Sequence, residues 1–535
     1  MVTPYVRVVC SVCVACIAPF LFGFDTGSIG SLISMPLFKS EFGDFNDTIH
    51  GVIVASILIP SVLTGVFAGA IADKLSRTYA ISLGSAIFAL GQGISAGSVR
   101  SIGMLVAGRV IAGLGEGLFL GVAGTYATEI SPKAKRGKML FLVQLNIAAG
   151  VSSGYWVCYG SSRINSSIQW RLPFIISTVL AVSVAIGSAF LPHSPRWLLL
   201  HNRRADAERV LDKLVGGSVE DMAERREMLA VTIAPKGSKR AAAVAMWRKD
   251  VRWRSCLGIG IQMLQMLSGI DFVLFYAVNL FEQAGLTGGS ASFLGGGLTG
   301  IFILLGTVFN SLYIDRLGRR TIFVAGGTVV GTALLVIGSM YASGAAATEH
   351  GKWVVIVFIE IYAFSFAASW GVVTRLYSAE IQPSRTRAAA ASVSVASNQL
   401  TNFIVALTGP AFLARSAYAP YFTYGGFTIV GTILAFFLMP ETRGHSLEII
   451  DAMFNGQAVP LAVPLPFSAA SSALVADFKQ YRTRRASRRD SETLPSAMDG
   501  AVSADEEKRE DPREAFRREM REAGEFAGRE DAIAE

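Results

Sequence analysis

The chain reads as an all-α membrane protein: twelve transmembrane helices in two six-helix halves, with a cytoplasmic helical insert between them. Three observations predict this. The composition is 52% hydrophobic against 16% charged, with a mean hydropathy of +0.46, too apolar for a water-soluble globule. Apolar segments of spanning length recur twelve times. Loop sequences from the first half return in the second at offsets of 242, 251 and 248 residues (73 to 315, 129 to 380, 192 to 440).

In order, the segments lie near 8–35, 51–72, 79–97, 103–128, 139–160, 172–191, 255–282, 291–313, 321–343, 353–379, 388–412 and 420–439. A helix rising 1.5 Å per residue needs about 20 residues for an apolar core about 30 Å thick. In lipid a helix satisfies its own backbone hydrogen bonds, and the alternating polarity of barrel strands is missing here. The first segment is not expected to be a cleavable leader, since it lacks a small-residue cleavage site. It also carries an acid. Asp25 follows roughly 17 apolar residues, with Ile29, Leu32, Ile33 and Met35 still to come. An ionisable group at that depth costs several kcal/mol unless paired, wetted or protonated, so Asp25 is a candidate functional residue and needs a partner.

Lys and Arg crowd alternate loops, and the net charge of +8 is a topology signal, not a nucleic-acid signal. Lys74, Arg77, Lys133, Lys135, Arg136, Lys138, the stretch 196–254, Arg316, Arg319, Arg320, Arg385 and Arg387 all fall on one side. By the positive-inside rule that side is cytoplasmic and holds both termini. The two Asn-x-Ser/Thr sequons, at Asn46 and Asn165, fall in loops on the other side, as acceptors of glycan should.

The repeat is carried by charged loops. Asp73-Lys74-Leu75-Ser76-Arg77 returns as Asp315-Arg316-Leu317-Gly318-Arg319-Arg320. Glu129-Ile130-Ser131-Pro132 with Arg136 returns as Glu380-Ile381-Gln382-Pro383 with Arg385, and Pro192–Arg196 returns around Glu441 and Arg443. Such acid–base sets can link neighbouring helices on the cytoplasmic side and act as gating charges, broken when that side opens. The domains expected are 1–191 and 255–455 for the halves, 192–254 for the insert and 456–535 for a cytoplasmic tail poor in aromatics and disordered by composition. Arg203–Leu214 and Ser218–Leu229 are amphipathic stretches of the insert. Cys10, Cys13 and Cys16 form an apolar stripe with no further ligand, so neither a metal nor a cofactor is expected. No nucleotide loop or nucleophile–base set suggests an enzyme.

These loops, with Gly108-Arg109, Gln144-Leu145-Asn146-Ile147, the run from Gln262 to Asp271, Ser369-Trp370-Gly371, Pro192-x-Ser-Pro-Arg-Trp197 and Pro440-Glu441-Thr442-Arg443-Gly444, resemble the sugar porters of the major facilitator superfamily over roughly residues 5–455. The resemblance implies the major facilitator fold, alternating access and a sugar-like cargo. In proton-coupled members an Asp of the first helix faces an Arg of the fourth, which here gives Asp25 and Arg109. Depth agrees. Asp25 lies roughly 26 Å from the cytoplasmic side and Arg109 roughly 9 Å from the outer one. Glu116, on the same face as Arg109 two turns on, serves either as a second proton carrier or as a structural ion pair. Glu360, about 7 residues into the tenth helix from the outer side, reads as lining the outer vestibule or as wetted.

A hydroxyl-covered ligand needs amides that donate and accept, plus an aromatic face. Gln262 and Gln265 share one face of the seventh helix, followed by Asp271 and Tyr276; Asn398 and Asn402 lie in the eleventh. Gln144, Gln265 and Trp370 match the family's sugar contacts. The chain departs from the family pattern at Met266, Asp271, Ile303, Arg375 and Gln399, and at Thr78 in the first loop motif. The expectation is proton-coupled uptake of a neutral sugar, a hexose first, by a monomer in the plasma membrane. The alternatives are a facilitator, a carrier of disaccharides or polyols, and a non-transporting sugar sensor.

Overall fold

The structure is a computed structural model and describes residues 4–43, 45–132, 136–214, 229, 244–249, 251–286, 289–383, 386–443, 450 and 454. The described residues contain helices and no strands. Twelve crossings follow in order: α1 Pro4–Ile33, α2 Asp47–Ala55 continued by Leu58–Leu75, α3 Arg77–Ala96, α4 Ile102–Glu129, α5 Arg136–Ser161 and α6 Ile168–Ala189. Then come α7 in three pieces (Arg252–Leu267, Ile270–Phe275, Ala277–Gln283), α8 Gly289–Leu317, α9 Arg319–Ala342, α10 as Glu349–Ala367 and Trp370–Glu380, α11 Arg387–Arg415 and α12 Ala419–Leu438. Eleven of these are apolar enough to cross a membrane on composition alone. The exception is α11, whose apolar run is broken by Ser392, Ser394, Ser397, Asn398, Gln399, Thr401 and Asn402. Most of those polar residues are buried, so the polar face of the helix is covered by its neighbours while Val395, Leu400 and Ile404 stay exposed on the other.

Three of the helices are interrupted. Helix α7 breaks at Gly269, in the left-handed region with φ +82°, and again at Tyr276. Helix α10 breaks at Ser369, and α2 breaks just before Pro60. Discontinuous helices in a membrane bundle are tolerated only where protein or a water-filled space surrounds them, which places these three around the interior.

Of the insert, Pro195–Leu200 is a short helix whose first turn is capped by Ser194, and the Trp197 indole donates to the Asp73 carbonyl at 2.9 Å. The expected helix at Arg203–Leu214 is present as Arg204–Leu214. Ser218–Leu229 and the tail from 456 lie outside the described residues, apart from Leu229 itself.

The internal repeat is visible in the backbone. At the start of α3, Ser76 has φ 102° and ψ 154°; at the start of α9, Gly318 has φ 93° and ψ 152°. The two positions are 242 residues apart, the offset of the loop motif itself. At α9 the Glu441 carboxylate accepts from Arg319 N at 2.8 Å and Arg320 N at 3.1 Å, a negative charge at the positive end of the helix dipole.

The halves engage each other at the end opposite the basic loops, called here the far end. Ser34 of α1 donates to Asn279 of α7 at 3.1 Å, and the Tyr155 hydroxyl donates to the Leu274 carbonyl. The His50 and Tyr276 rings meet edge-on at 5.4 Å. Gly30 lets α1 approach so closely that a Cβ there would overlap the Phe275 carbonyl. These contacts close the bundle at the far end.

Two outcomes follow. Gly318→Ala puts a Cβ on a positive-φ residue against the Glu441 carboxylate and should destabilise the protein by about 1–3 kcal/mol, read as a lowered melting temperature in detergent. Gly30→Leu should disfavour far-end closure by about 1–3 kcal/mol of overpacking, read as greater labelling of a cysteine placed at Asn279.

Candidate functional site

Asp25 sits in the last third of α1 and is 4% exposed; Arg109 on α4 is wholly buried. Arg109 Nη1 donates to Asp25 Oδ1 at 3.2 Å and Nη2 to Oδ2 at 3.1 Å, a two-pronged pair. Gln92 of α3 donates through Nε2 to Oδ1 at 2.9 Å, and Arg109 Nη2 also reaches the Val54 carbonyl at 3.2 Å, beside the break in α2. One carboxylate thus ties together four helices. Leaving either ion of such a buried pair alone costs about 3–5 kcal/mol. Gln92 was not legible as a ligand of Asp25. Its only signal was an amide in an apolar segment.

Glu116 lies two turns further along α4, buried and facing Ser61 of α2. It forms no ion pair among the described residues, because both terminal nitrogens of Arg109 are directed to Asp25 and Val54. Glu360 is corrected. It is buried between α10 and α8, with Oε1 accepting from Thr299 at 2.9 Å, and is not a vestibule residue.

The amides expected to meet cargo meet one another. Asn398 donates through Nδ2 to Gln262 O, Gln262 Oε1 and Gln265 Oε1, each at 3.0 Å. Gln262 donates to Ser378 at 3.2 Å, and Gln265 donates to the Trp370 carbonyl at 3.2 Å. This net joins α7, α10 and α11 at the breaks. Trp370 offers no face to cargo in this conformation. It is fully buried, stacked on Phe323 at 4.4 Å and 14°, and its indole donates to the Phe323 carbonyl at 2.8 Å. Tyr276 donates to the Ala406 carbonyl at 2.6 Å. Asn402 keeps Oδ1 without a partner.

Across the gap between halves, Arg375 Nη1 of α10 points to Gln144 Oε1 of α5 at 3.4 Å. Arg375 is exposed although it lies within a spanning helix, while Asp271 is buried in the second piece of α7.

The loop charges pair inside each half. Arg77 holds Glu129 at 2.9 Å and 3.0 Å and Asp73 at 3.0 Å. Arg319 reaches Glu380 at 3.4 Å, Thr442 donates to Glu380 at 2.8 Å, and Glu441 caps α9 and accepts from Arg443 N at 3.1 Å. Arg320 donates to the Phe436 carbonyl at 2.5 Å. In the eroded motif Thr78, with Ser76, contacts His193 Nδ1 at 3.0 Å and 2.8 Å. The side chains of Arg136 and Asp315, and all of Arg385, lie outside the described residues. These pairs splice helices within a half, and they are intact in a bundle already closed at the far end.

The family model "Sugar (and other) transporter" matches residues 11–454. A probable quinate permease of Aspergillus flavus is 29% identical over 476 residues, 84% of this chain and 87% of that protein. A high-affinity glucose transporter of Kluyveromyces lactis is 27% identical over 463 residues, 82% and 84%. The high glucose sensor RGT2 of Saccharomyces cerevisiae is 31% identical over 457 residues, 82% of this chain but 59% of that protein. Among solved structures, the partially occluded inward-open xylose transporter XylE of Escherichia coli superposes with a TM-score of 0.69 at 22% identity, over 82% of this chain and 99% of that one. Its likeness carries the major facilitator fold to this chain. The activity is therefore transport and not enzymatic catalysis, and the chain belongs to the sugar (and other) transporter family.

Proposed function

We propose that the protein is a proton-coupled symporter that takes up a sugar-like solute by alternating access. The single observation that carries this reading is the buried, two-pronged pair of Asp25 and Arg109. A facilitator has no use for an ionisable acid held in a membrane interior at a cost of several kcal/mol. Protonation of Asp25 would remove the charge that Arg109 and Gln92 hold, freeing α1 from α3 and α4. Helix α1 also carries the close contact with α7 at Gly30, so the same helix links the proton site to far-end closure. Glu116 fits a second, weaker role in the same relay.

The cargo site in this reading lies between the halves, with Gln144 on one side and Gln262, Gln265, Asp271, Tyr276, Trp370, Asn398 and Asn402 on the other. Binding would exchange the amide–amide bonds around Asn398 for bonds to hydroxyls, and would turn Trp370 out of its stack. The intra-half charge pairs serve as hinges for each half. The same reading places both termini in the cytoplasm and the carrier in the plasma membrane as a monomer, with domain borders near residues 191, 254 and 455. Similarity to a glucose sensor favours a second reading, a receptor that does not transport; uptake by the protein expressed in transporter-deficient cells separates the two.

Asp25→Asn should retain counterflow exchange of labelled cargo and lose accumulation. One pH unit is worth about 1.4 kcal/mol, or a tenfold gradient, so the wild-type ratio should rise about tenfold per unit while the variant stays at unity. Unchanged accumulation in the variant would sink the coupling. Gln92→Leu should cost about 1.5–3 kcal/mol of stability in the wild-type background, as the loss of a bond to a charged group, and much less when Asp25 is already Asn. Equal losses in both backgrounds, read from melting temperatures, would show that Gln92 acts elsewhere.

A further inference from the structure

The cation in the gap between the halves has no assigned role. Arg375 lies five residues before the end of α10, about 8 Å along the helix from Glu380. It is exposed there, reaches Gln144 of the opposite half with one nitrogen at 3.4 Å, and makes no ion pair among the described residues. Asp271, buried in the second piece of α7, forms no ion pair with it among the described residues. Three other arginines of the bundle are committed to acids. Arg109 is held by Asp25, Arg77 by Glu129 and Arg319 by Glu380. An arginine within a spanning helix is costly and marks a site unless it is paired.

We propose that Arg375 is a carboxylate receptor and that the transported solute is a small polyhydroxylated carboxylic acid. The guanidinium fork matches a carboxylate in two parallel hydrogen bonds, which a neutral sugar cannot return. Gln144, already within reach of the same guanidinium, is placed to take a hydroxyl beside that carboxylate. The remaining amides fit a minor share of the recognition. Gln262, Gln265 and Asn398 bond one another, whereas Arg375 has spare donors facing the gap. Asp271 balances the guanidinium when the site is empty, and cargo takes its place as counter-ion. A monovalent anion moving with one proton carries no net charge across the membrane. This rests on the transport reading above and names the cargo class that reading leaves open, with an acid of the same size in place of the neutral hexose expected from the sequence.

Purified protein is titrated by calorimetry with D-gluconate, D-glucuronate, methyl D-glucuronate and D-glucose, and uptake of labelled gluconate and glucose is measured in transporter-deficient cells. Wild type should bind the acids and reject the methyl ester. Arg375→Gln should weaken acid binding by about tenfold to a hundredfold, the loss of a charge-assisted pair, and should narrow or reverse the preference over glucose. Arg375→Lys, which keeps the charge but not the fork, should fall between. Glucose bound in preference to the acids, no binding of any acid, or acid binding indifferent to Arg375→Gln would each overturn the proposal. Acid uptake that ignores the pH gradient would instead count against proton coupling while leaving the receptor standing.

Discussion

Everything in the bundle is arranged so that a carboxylate can stay inside lipid. Asp25 is tolerable there because α4 brings it an arginine, α3 an amide, and the break in α2 frees a carbonyl for that arginine's surplus donor. The cost of separating such charges exceeds that of most single contacts in the fold. Four helices of the first half are therefore held in register by one ion pair. Any event that neutralises it loosens them together.

The second half is built on the opposite plan. It has no buried ion pair at mid-depth among the described residues. It has three backbone interruptions, at Gly269, Tyr276 and Ser369, stitched by neutral amides. Helices broken in this way bend at low cost and expose carbonyls to cargo. A charged hinge in one half and a polar, pliable lining in the other is a division of labour, and the proposed symport gives the proton to the first and the solute to the second. Contact at the far end, where α1 meets α7, makes the two answer to each other.

Much of this was legible in the residues, because the bilayer leaves few choices. Length and apolarity marked the spans, and the 242-residue offset of the loop motif reappears as matching left-handed residues at Ser76 and Gly318. The Asp25–Arg109 pair followed from depth together with the family pattern. What could not be read depends on side-chain direction. Gln92 looked like one amide among apolar neighbours, and nothing in the chain says that it turns toward α1. Trp370 matches a family sugar contact, but its rotamer stacks it on Phe323 instead. Glu360 was assigned by depth alone, and depth does not reveal that Thr299 covers it. Pairing of the loop charges within halves was equally hidden, since the repeat shows which charges correspond and not which ones touch.

Proton movement driven by cargo tests the central claim most directly. Purified protein in liposomes containing a pH-sensitive dye is given an inward gradient of the transported solute, at zero membrane potential and with equal pH on both sides. Symport through Asp25 predicts that the lumen acidifies as labelled solute enters, with one proton per molecule, and that Asp25→Asn abolishes the acidification while exchange continues. Entry of labelled solute with no change in luminal pH would contradict it.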